Sequence, residues 1–205
     1  MTTAPITVCV GTFGNEQIWS ALAHDRAMAS VDRQTLPPEH VRWCHGPDLH
    51  TARNMAASQS DSEWLCFLDA DDELGPHYLE AMTEAITRLD DNDWLLQPAT
   101  LGVYPDGSED PSPVLIPQKP LLDGNYLIIG TLVRRSQFER VGGFYDLPMY
   151  EDWDLWLRCS LGGAEVLQVP AAIYRVHVNT DGRNSPSRSV QISAYHQVRS
   201  QYLHR

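Results

Sequence analysis

The chain has a single lysine, Lys119, and its 205 residues include only 15 basic side chains against 27 acidic ones. The resulting formal charge of −12 argues against a protein whose main task is to grip nucleic acid phosphates, because such domains are usually basic. The few positive charges are unevenly placed. Residues 175–205 carry five arginines and one aspartate, a net of +4, which leaves −16 for residues 1–174. We therefore expect an anionic ligand to be met near the C-terminal segment.

Paired cysteines and long apolar runs are also lacking. The four cysteines show no C-x-x-C or zinc spacing, and Cys9, Cys44 and Cys66 lie inside apolar runs as small core residues do. The N-terminus has no basic segment followed by an apolar one, and no run approaches the ~18 apolar residues of a membrane span. These absences predict a cytoplasmic protein in a reducing compartment, with no membrane span.

Strand and helix patterns alternate along the chain. Apolar, β-branched runs predict strands at 6–10, 41–44, 64–68, 94–97, 127–133, 166–169 and 173–178. Helical spacing predicts helices at 17–30, 50–59, 76–89, 136–141, 152–161 and 190–203. Five prolines between 105 and 120 predict a long loop, and Gly182 to Ser187 is expected to be irregular. The alternation predicts a single α/β domain with a mostly parallel central sheet flanked by helices.

The sequence FLDADD at 67–72 places three carboxylates at the end of a buried strand. In parallel α/β sheets, ligands bind beyond the carboxyl ends of the strands. An Asp-x-Asp there suits a divalent metal that shares phosphate oxygens with its carboxylate ligands. The alternative is a solvated acidic turn in which Asp72 caps the next helix.

Two later segments, YEDWDLWLR at 150–158 and YRVH at 174–177, also combine charged and aromatic side chains. The acidic residues of the first segment lie at the start of a predicted helix. They are either catalytic residues or caps of the helix N-terminus, where the helix dipole favours negative charge. His177, in the second, is either a ligand or a packed side chain.

Taken together and in order, these segments resemble the family-2 glycosyltransferases of GT-A fold. The series is SVDRQT at 30–35, ARN at 52–54, FLDADD at 67–72, VGGF at 141–144, EDWDLWLR at 151–158 and YRVH at 174–177. The resemblance extends from Ile6 to about Asn179. It implies a GT-A domain over 1–179, followed by a basic loop and helix over 180–205 that packs on or covers the site.

The resemblance also implies roles for individual residues. The nucleotide-sugar donor would be contacted by Thr12, Phe13, Glu16, Arg53, Asp69 and Arg175. Asp71 and His177 would hold Mn²⁺ or Mg²⁺ against the donor diphosphate. Asp152 would be the general base in an inverting transfer to an acceptor hydroxyl. Glu151 and Trp153 would lie on the acceptor side, although Glu151 serves equally well as a helix cap and Trp153 as a core residue.

The donor base and the acceptor stay open at this point. Where the family usually ends its second strand in Asp-Asp-Gly, this chain has Cys44-His45-Gly46, so UDP is only the default expectation. The acceptor is a glycan, a lipid-linked sugar, a protein hydroxyl, a metabolite or a modified base.

Two other functions are compatible with parts of the sequence. A non-catalytic sugar-nucleotide-binding protein would keep the fold but not the turnover; the altered Cys44-His45 pair is compatible with it, whereas the intact Asp152 argues against it. A haloacid-dehalogenase-type phosphatase would use Asp69 as its nucleophile. That motif belongs at a first strand and needs a later lysine, whereas Lys119 lies in the proline-rich loop.

Overall fold

Eight strands form one sheet in the computed structural model, which describes residues 3–110, 120–178 and 187–203. The strands are β1 (Ala4–Phe13), β2 (Pro38–Gly46), β3 (Trp64–Asp69), β4 (Glu73–Leu74), β5 (Trp94–Val103), β6 (Glu109–Asp110), β7 (Leu132–Arg134) and β8 (Glu165–His177). Their order across the sheet is β2-β1-β3-β7-β5-β8-β4, with β6 paired to β5.

The helices flank this sheet. They are α1 (Glu16–Ala23), α2 (Ala29–Asp32), α3 (Leu49–Ser58), α4 (Tyr78–Ile86), α5 (Arg135–Arg140), α6 (Glu151–Leu161) and α7 (Arg188–Ser200). A π-helical turn, His24–Met28, joins α1 to α2, so the predicted helix at 17–30 is one continuous helical run. Within the described residues, no helix is both long and apolar enough to cross a bilayer.

The sheet is mixed, with its long pairings parallel. β1 pairs in parallel with β2 and β3, and β5 pairs in parallel with β8, whereas β7 joins the two halves through short antiparallel pairings. The predicted single α/β domain with helices around a central sheet is confirmed. Because β1, β2 and β3 run in the same direction, Gly11 lies level with both Cys44 and Asp69 at their carboxyl ends.

Large aromatic side chains fill the space between the sheet and the helices. Phe67 of β3 packs against Phe138 and Phe144, with ring centroids 5.2 and 4.8 Å away. Each such side chain contributes about 1.5–3 kcal/mol by leaving water. The predicted core cysteines are buried and unpaired. The cytoplasmic location that they suggest stays a prediction.

Two predicted strands differ from the structure. Of the run at 127–133, only the last two residues lie in a strand, β7. The buried Gln97 side chain binds the backbone before that strand: it accepts from Ile128 N at 3.3 Å and donates to Tyr126 O at 3.3 Å. The separate strands at 166–169 and 173–178 are instead one strand, β8. Its pairing with β5 shifts register between Val169 and Ile173, and this irregularity accommodates Pro170, which has no N–H for the ladder.

The predicted loop and tail fall partly outside the described residues. Residues 111–119, including Lys119, and residues 179–186 are not described, so the irregular segment predicted at 182–187 and the boundary at 179/180 stay predictions. Helix α7 does pack on the domain, burying Ala194 and Val198.

Candidate functional site

The carboxyl ends of β1 and β2 bring Thr12 next to His45. The Thr12 hydroxyl lies 3.1 Å from His45 Nδ1 and accepts a hydrogen bond from Trp43 Nε1 at 3.2 Å. Thr12 is buried, so its hydroxyl is held by protein groups at the position where the sequence predicts a nucleotide contact. Glu16 is exposed in the first turn of α1.

Phe13 opens onto a cavity beside α6. This open cavity of about 310 Å³ is lined by Phe13, Asp48, Leu49, His50, Asp146, Leu147, Pro148 and Glu151. It lies between the end of β1 and the start of α6, and it therefore connects the predicted donor residue Phe13 with the predicted acceptor residue Glu151.

A buried arginine links the two halves of the site. Arg53 is 3% exposed, and its guanidinium donates to Asp69 Oδ1 at 2.5 Å and to Glu151 Oε1 at 2.9 Å. Burial alone would lower the pKa of Arg53, but the Asp69 and Glu151 carboxylates raise it above its usual value. Arg53 is therefore a permanent cation that holds the end of β3 to the start of α6.

The end of β1 leaves room for this arginine. A Cβ on Gly11 would lie 2.8 Å from Arg53 Cγ and 3.0 Å from Arg53 N. Helix α3 carries Arg53 to this position, and its N-terminus is capped by Asp48, which accepts from Thr51 N at 2.8 Å. The predicted donor residues Arg53 and Asp69 are thus in direct contact with each other.

The acidic turn after β3 gathers three carboxylates. Oxygen atoms of Asp69, Asp71 and Asp72 lie within 4.8 Å of one another. Burial, and then the charges of Asp69 and Asp71, raise the pKa of Asp72 well above its usual value. Such a cluster is electrostatically suited to a divalent cation, because hard cations take carboxylate oxygens.

Asp72 does not cap the next helix, which was the alternative explanation of the acidic turn. α4 begins at Tyr78 without a side-chain cap, whereas Asp72 Oδ1 accepts from His177 N at 2.9 Å. The acidic turn is also held from α1–α2, since Arg26 in the π-helical turn donates to the Asp71 carbonyl at 2.9 Å.

Glu73 is a site residue that the sequence analysis missed. It accepts from Arg33 at 2.7 Å, lies 2.8 Å from His177 Nε2 and is 3.6 Å from Arg175 Nε. Although burial would raise its pKa, these neighbours, His177 foremost, lower it below its usual value. The predicted metal ligand His177 therefore has a carboxylate partner outside the Asp69–Asp71–Asp72 cluster. Arg175, predicted to meet phosphate, also binds Glu109 at 2.5 Å.

No sequence signal marked Glu73, because its three partners come from α2–β2 and β8. The antiparallel pairing of β4 with β8 places Glu73 opposite Arg175. Only that pairing, which is distant in sequence, brings the carboxylate to the histidine.

The predicted base lies at the start of α6. Burial, followed by the neighbouring Glu151 carboxylate, raises the pKa of Asp152 to about 6. Asn125 Nδ2 lies 3.4 Å from its Oδ2. Tyr150, just before the helix, has φ +62°, the only positive value among the described non-glycine residues. A non-glycine residue in this left-handed region marks strain of the kind that is concentrated at functional sites.

Trp153 does not face the open site. It is fully buried, its indole N–H donates to Leu121 O at 2.9 Å, and Tyr195 of α7 stacks on its ring with centroids 4.8 Å apart. Direct stacking of Trp153 on an acceptor would require Tyr195 to move away. The core alternative is thus the one that fits this arrangement.

Two further motifs, ARN at 52–54 and VGGF at 141–144, join α3 to the segment before α6 through hydrogen bonds. Asn54 pairs with the Phe144 backbone through two hydrogen bonds, each 2.9 Å long. Gly143, beside it, has φ +67°, and a Cβ there would lie 2.6 Å from Asn54 Oδ1. The ARN and VGGF motifs therefore form one contact that positions Arg53 against α6.

We expect Gly143→Ala to lower the free energy of unfolding by more than the about 1–3 kcal/mol of left-handed strain alone. The matched control is Gly163→Ala, where φ is +99° and nothing lies within 4 Å of the added Cβ. Urea unfolding of both variants separates the contact with Asn54 from the backbone strain. Equal losses of unfolding free energy in the two variants would contradict a stabilising role for the contact between Gly143 and Asn54.

Comparisons with known proteins show which family and which folds the chain resembles. Residues 26–100 match the sequence profile of glycosyl transferase family 2. Curated protein sequences give no significant match. Among solved structures, S. aureus TarS 1–349 in complex with UDP-GlcNAc aligns with a TM-score of 0.63 and 17% identity, over 97% of this chain and 64% of that chain.

Two related structures give similar values. S. aureus TarS 1–349 aligns with a TM-score of 0.58 and 18% identity, over 86% of this chain and 60% of that one. A S. aureus TarS structure aligns with a TM-score of 0.57 and 19% identity, over 88% of this chain and 37% of that one. The chain thus spans less than two thirds of the length of these structures. The profile match over residues 26–100 and the shared fold lead to one conclusion: the chain has the GT-A fold, and this part of it is similar to glycosyl transferase family 2.

Proposed function

We propose that this protein is a metal-dependent, inverting glycosyltransferase that moves a sugar from a nucleoside-diphosphate sugar to an acceptor hydroxyl. The observation that carries the proposal is the direct link, through Arg53, between Asp69 of the acidic turn and Glu151 beside Asp152. This link supports the proposal, because it connects the carboxylate cluster of the acidic turn with the segment that carries Asp152, whose pKa is raised.

Asp152 is the general base of the proposed reaction. Its carboxylate takes the proton of the acceptor hydroxyl while that oxygen bonds to the anomeric carbon. The bond from that carbon to the donor phosphate breaks, and its electron pair leaves with the nucleoside diphosphate. A pKa of about 6 leaves the group ionised at neutral pH, yet basic enough to accept a proton.

The acidic turn is the proposed cation site. Asp71 would hold Mn²⁺ or Mg²⁺, and Asp69 and Asp72 supply two further carboxylates within 4.8 Å. Bound there, the ion would act as a Lewis acid toward the diphosphate. His177 would complete the cation site and Arg175 would meet the diphosphate; in this structure His177 Nε2 lies 2.8 Å from Glu73, and Arg175 pairs with Glu73 and Glu109. The remaining donor contacts are proposed for Thr12, Phe13 and Glu16.

The donor nucleotide is proposed to be UDP. The similarity to TarS 1–349, which has been solved with UDP and with UDP-GlcNAc, supports this choice. His45 lies in hydrogen-bonding contact with Thr12, which is a proposed donor residue. We therefore expect the nucleotide base of the donor to lie at the ends of β1 and β2.

Two alternatives predict different behaviour. A non-catalytic sugar-nucleotide binder would not hydrolyse its donor in the absence of acceptor. A haloacid-dehalogenase-type phosphatase would need Asp69 free to attack, whereas Asp69 forms a 2.5 Å ion pair with Arg53. The similarity of residues 26–100 to glycosyl transferase family 2 also argues against the phosphatase.

Thermal unfolding with Mn²⁺ and nucleotides tests the donor site. We expect UDP with Mn²⁺, at ~100 times its dissociation constant, to stabilise the wild type by about 2.7 kcal/mol, a rise of roughly 5–10 °C in Tm. Asp71→Asn should lose the rise, because it removes a metal carboxylate. Asp25→Asn, the same change on an exposed side chain, should keep it. A metal-independent rise, or an equal rise in Asp71→Asn, would contradict the cation site. A larger rise in Tm with a nucleoside diphosphate of another base would identify that nucleotide as the donor in place of UDP.

A further inference from the structure

A second cleft lies between Tyr150 and α7. It has a volume of about 470 Å³ and is lined by Tyr150, Arg188, Gln191, Ile192, Tyr195 and His196. Apart from Tyr150, all of these residues belong to α7. None of them had a role in the proposed donor site.

Two tyrosines of this cleft are fixed by the same buried tryptophan. Tyr195 stacks on Trp153 with an interplanar angle of 20°, and Tyr150 packs edge-on against it at 5.9 Å. The Tyr195 hydroxyl also donates to Asp123 O at 3.2 Å. Aromatic rings held in this way are suited to lie against the apolar face of a sugar ring.

The cleft is next to the proposed base. Tyr150 immediately precedes Glu151 and Asp152, and its left-handed backbone lies at the turn into α6. Tyr150, which lines the cleft, is therefore two residues from Asp152 along the chain. This placement fits an acceptor rather than a donor, because the donor residues lie at the ends of β1 and β3.

The charge of α7 is opposite to that of the protein. The chain carries −12, whereas the 13 residues of α7 include two arginines and no acidic residue. Arg199 donates to Asp123 Oδ1 at 3.1 Å and to Leu122 O at 3.3 Å, and it does not line the cleft. Arg188 lines the cleft, together with His196. An arginine fork in this position is suited to a phosphate or carboxylate group.

We propose that the cleft between Tyr150 and α7 is the acceptor subsite and that it takes an anionic sugar. The sugar ring lies over Tyr150 and Tyr195, and its phosphate or carboxylate group meets Arg188. Only the assignment of the cleft as an acceptor subsite rests on the proposed transferase function. Binding of an anionic sugar to the cleft is measurable without turnover.

Ligand-observed NMR with three probes tests the inference. Glucose 6-phosphate and glucuronate carry a phosphate and a carboxylate group, and glucose carries neither. We expect binding of at least one anionic probe, about tenfold weaker or undetectable binding of glucose, and weaker binding of the anion at high salt. Whichever anion binds more tightly identifies the charged group. Equal binding of all three would overturn the inference.

Two variants of α7 locate the binding site. Arg188→Gln should weaken binding of the anionic probe about tenfold, because it removes one charge-assisted contact. Arg199→Gln removes the same charge from the same helix outside the cleft and should change binding less than twofold. Equal losses in both variants, or no loss in Arg188→Gln, would overturn the inference. Thermal melts of both variants verify that they are folded.

Donor hydrolysis separates this inference from the proposed function. Hydrolysis of a nucleotide sugar without any binding of anionic sugars would leave the transferase in place and overturn the cleft assignment. Binding that depends on Arg188, combined with no turnover of any nucleotide sugar, would overturn the transferase and leave the cleft as an anionic-sugar site.

Discussion

Replacing Asp152 with asparagine is expected to lower transfer about 10²- to 10⁴-fold while leaving donor affinity unchanged. Asparagine has nearly the same shape but accepts no proton at neutral pH. The acceptor oxygen then has to attack without losing its proton to the enzyme. Release of nucleoside diphosphate from the donor is the measurement, with the acceptor present or with water in its place.

The pH profile provides the control for this variant. Only the ionised carboxylate is a base, and burial and Glu151 raise the pKa of Asp152 to about 6. Wild-type activity at saturating donor should therefore fall as the pH is lowered through about 6. The residual activity of Asp152→Asn should not show this fall. The groups that face Asp152 are Glu151, Arg53 and Asp69. Asp25→Asn should keep both the rate and the profile. Normal turnover in Asp152→Asn would remove Asp152 as the base.

The chemistry-bearing motifs were predictable because each follows a strong local pattern. The run at 64–68 is apolar throughout and ends at Asp69, so both the buried strand and the position of its acids follow from the sequence. The rule that parallel strands present ligands at their carboxyl ends then brings Thr12 and Asp69 to one edge. The match of Gly11 to both Cys44 and Asp69 in register agrees with that expectation.

The parts that were not predictable depend on contacts between distant residues. Glu73 contacts Arg175 and His177 through the pairing of β4 with β8, and the ring of Trp153 is covered by Tyr195 of α7, which is distant in sequence. The single strand β8 was predicted as two because Pro170 interrupts the local pattern, whereas the long pairing with β5 accommodates it through a shift in register. In each case a tertiary contact overrides a local signal.

Arg53 was predicted as a donor contact, and its position gives it a second, structural role. Its side chain is 4% exposed and lies between Glu151, 9% exposed, and Asp69, 31% exposed. It also lies over the Phe144 ring, 5.1 Å from the centroid. Removing one member of a buried ion pair leaves an uncompensated charge, which costs more than the net contribution of the intact pair.

We therefore expect Arg53→Met to lower the free energy of unfolding by about 3–5 kcal/mol, measured by urea unfolding. Arg88→Met, which breaks the exposed pair with Glu84 on α4, should cost no more than about 1 kcal/mol. The double variant Arg53→Met with Glu151→Gln should be more stable than Arg53→Met alone, because it removes one of the two stranded carboxylates. A loss near 1 kcal/mol in Arg53→Met, or no recovery in the double variant, would show that the network positions the site without holding its two halves together.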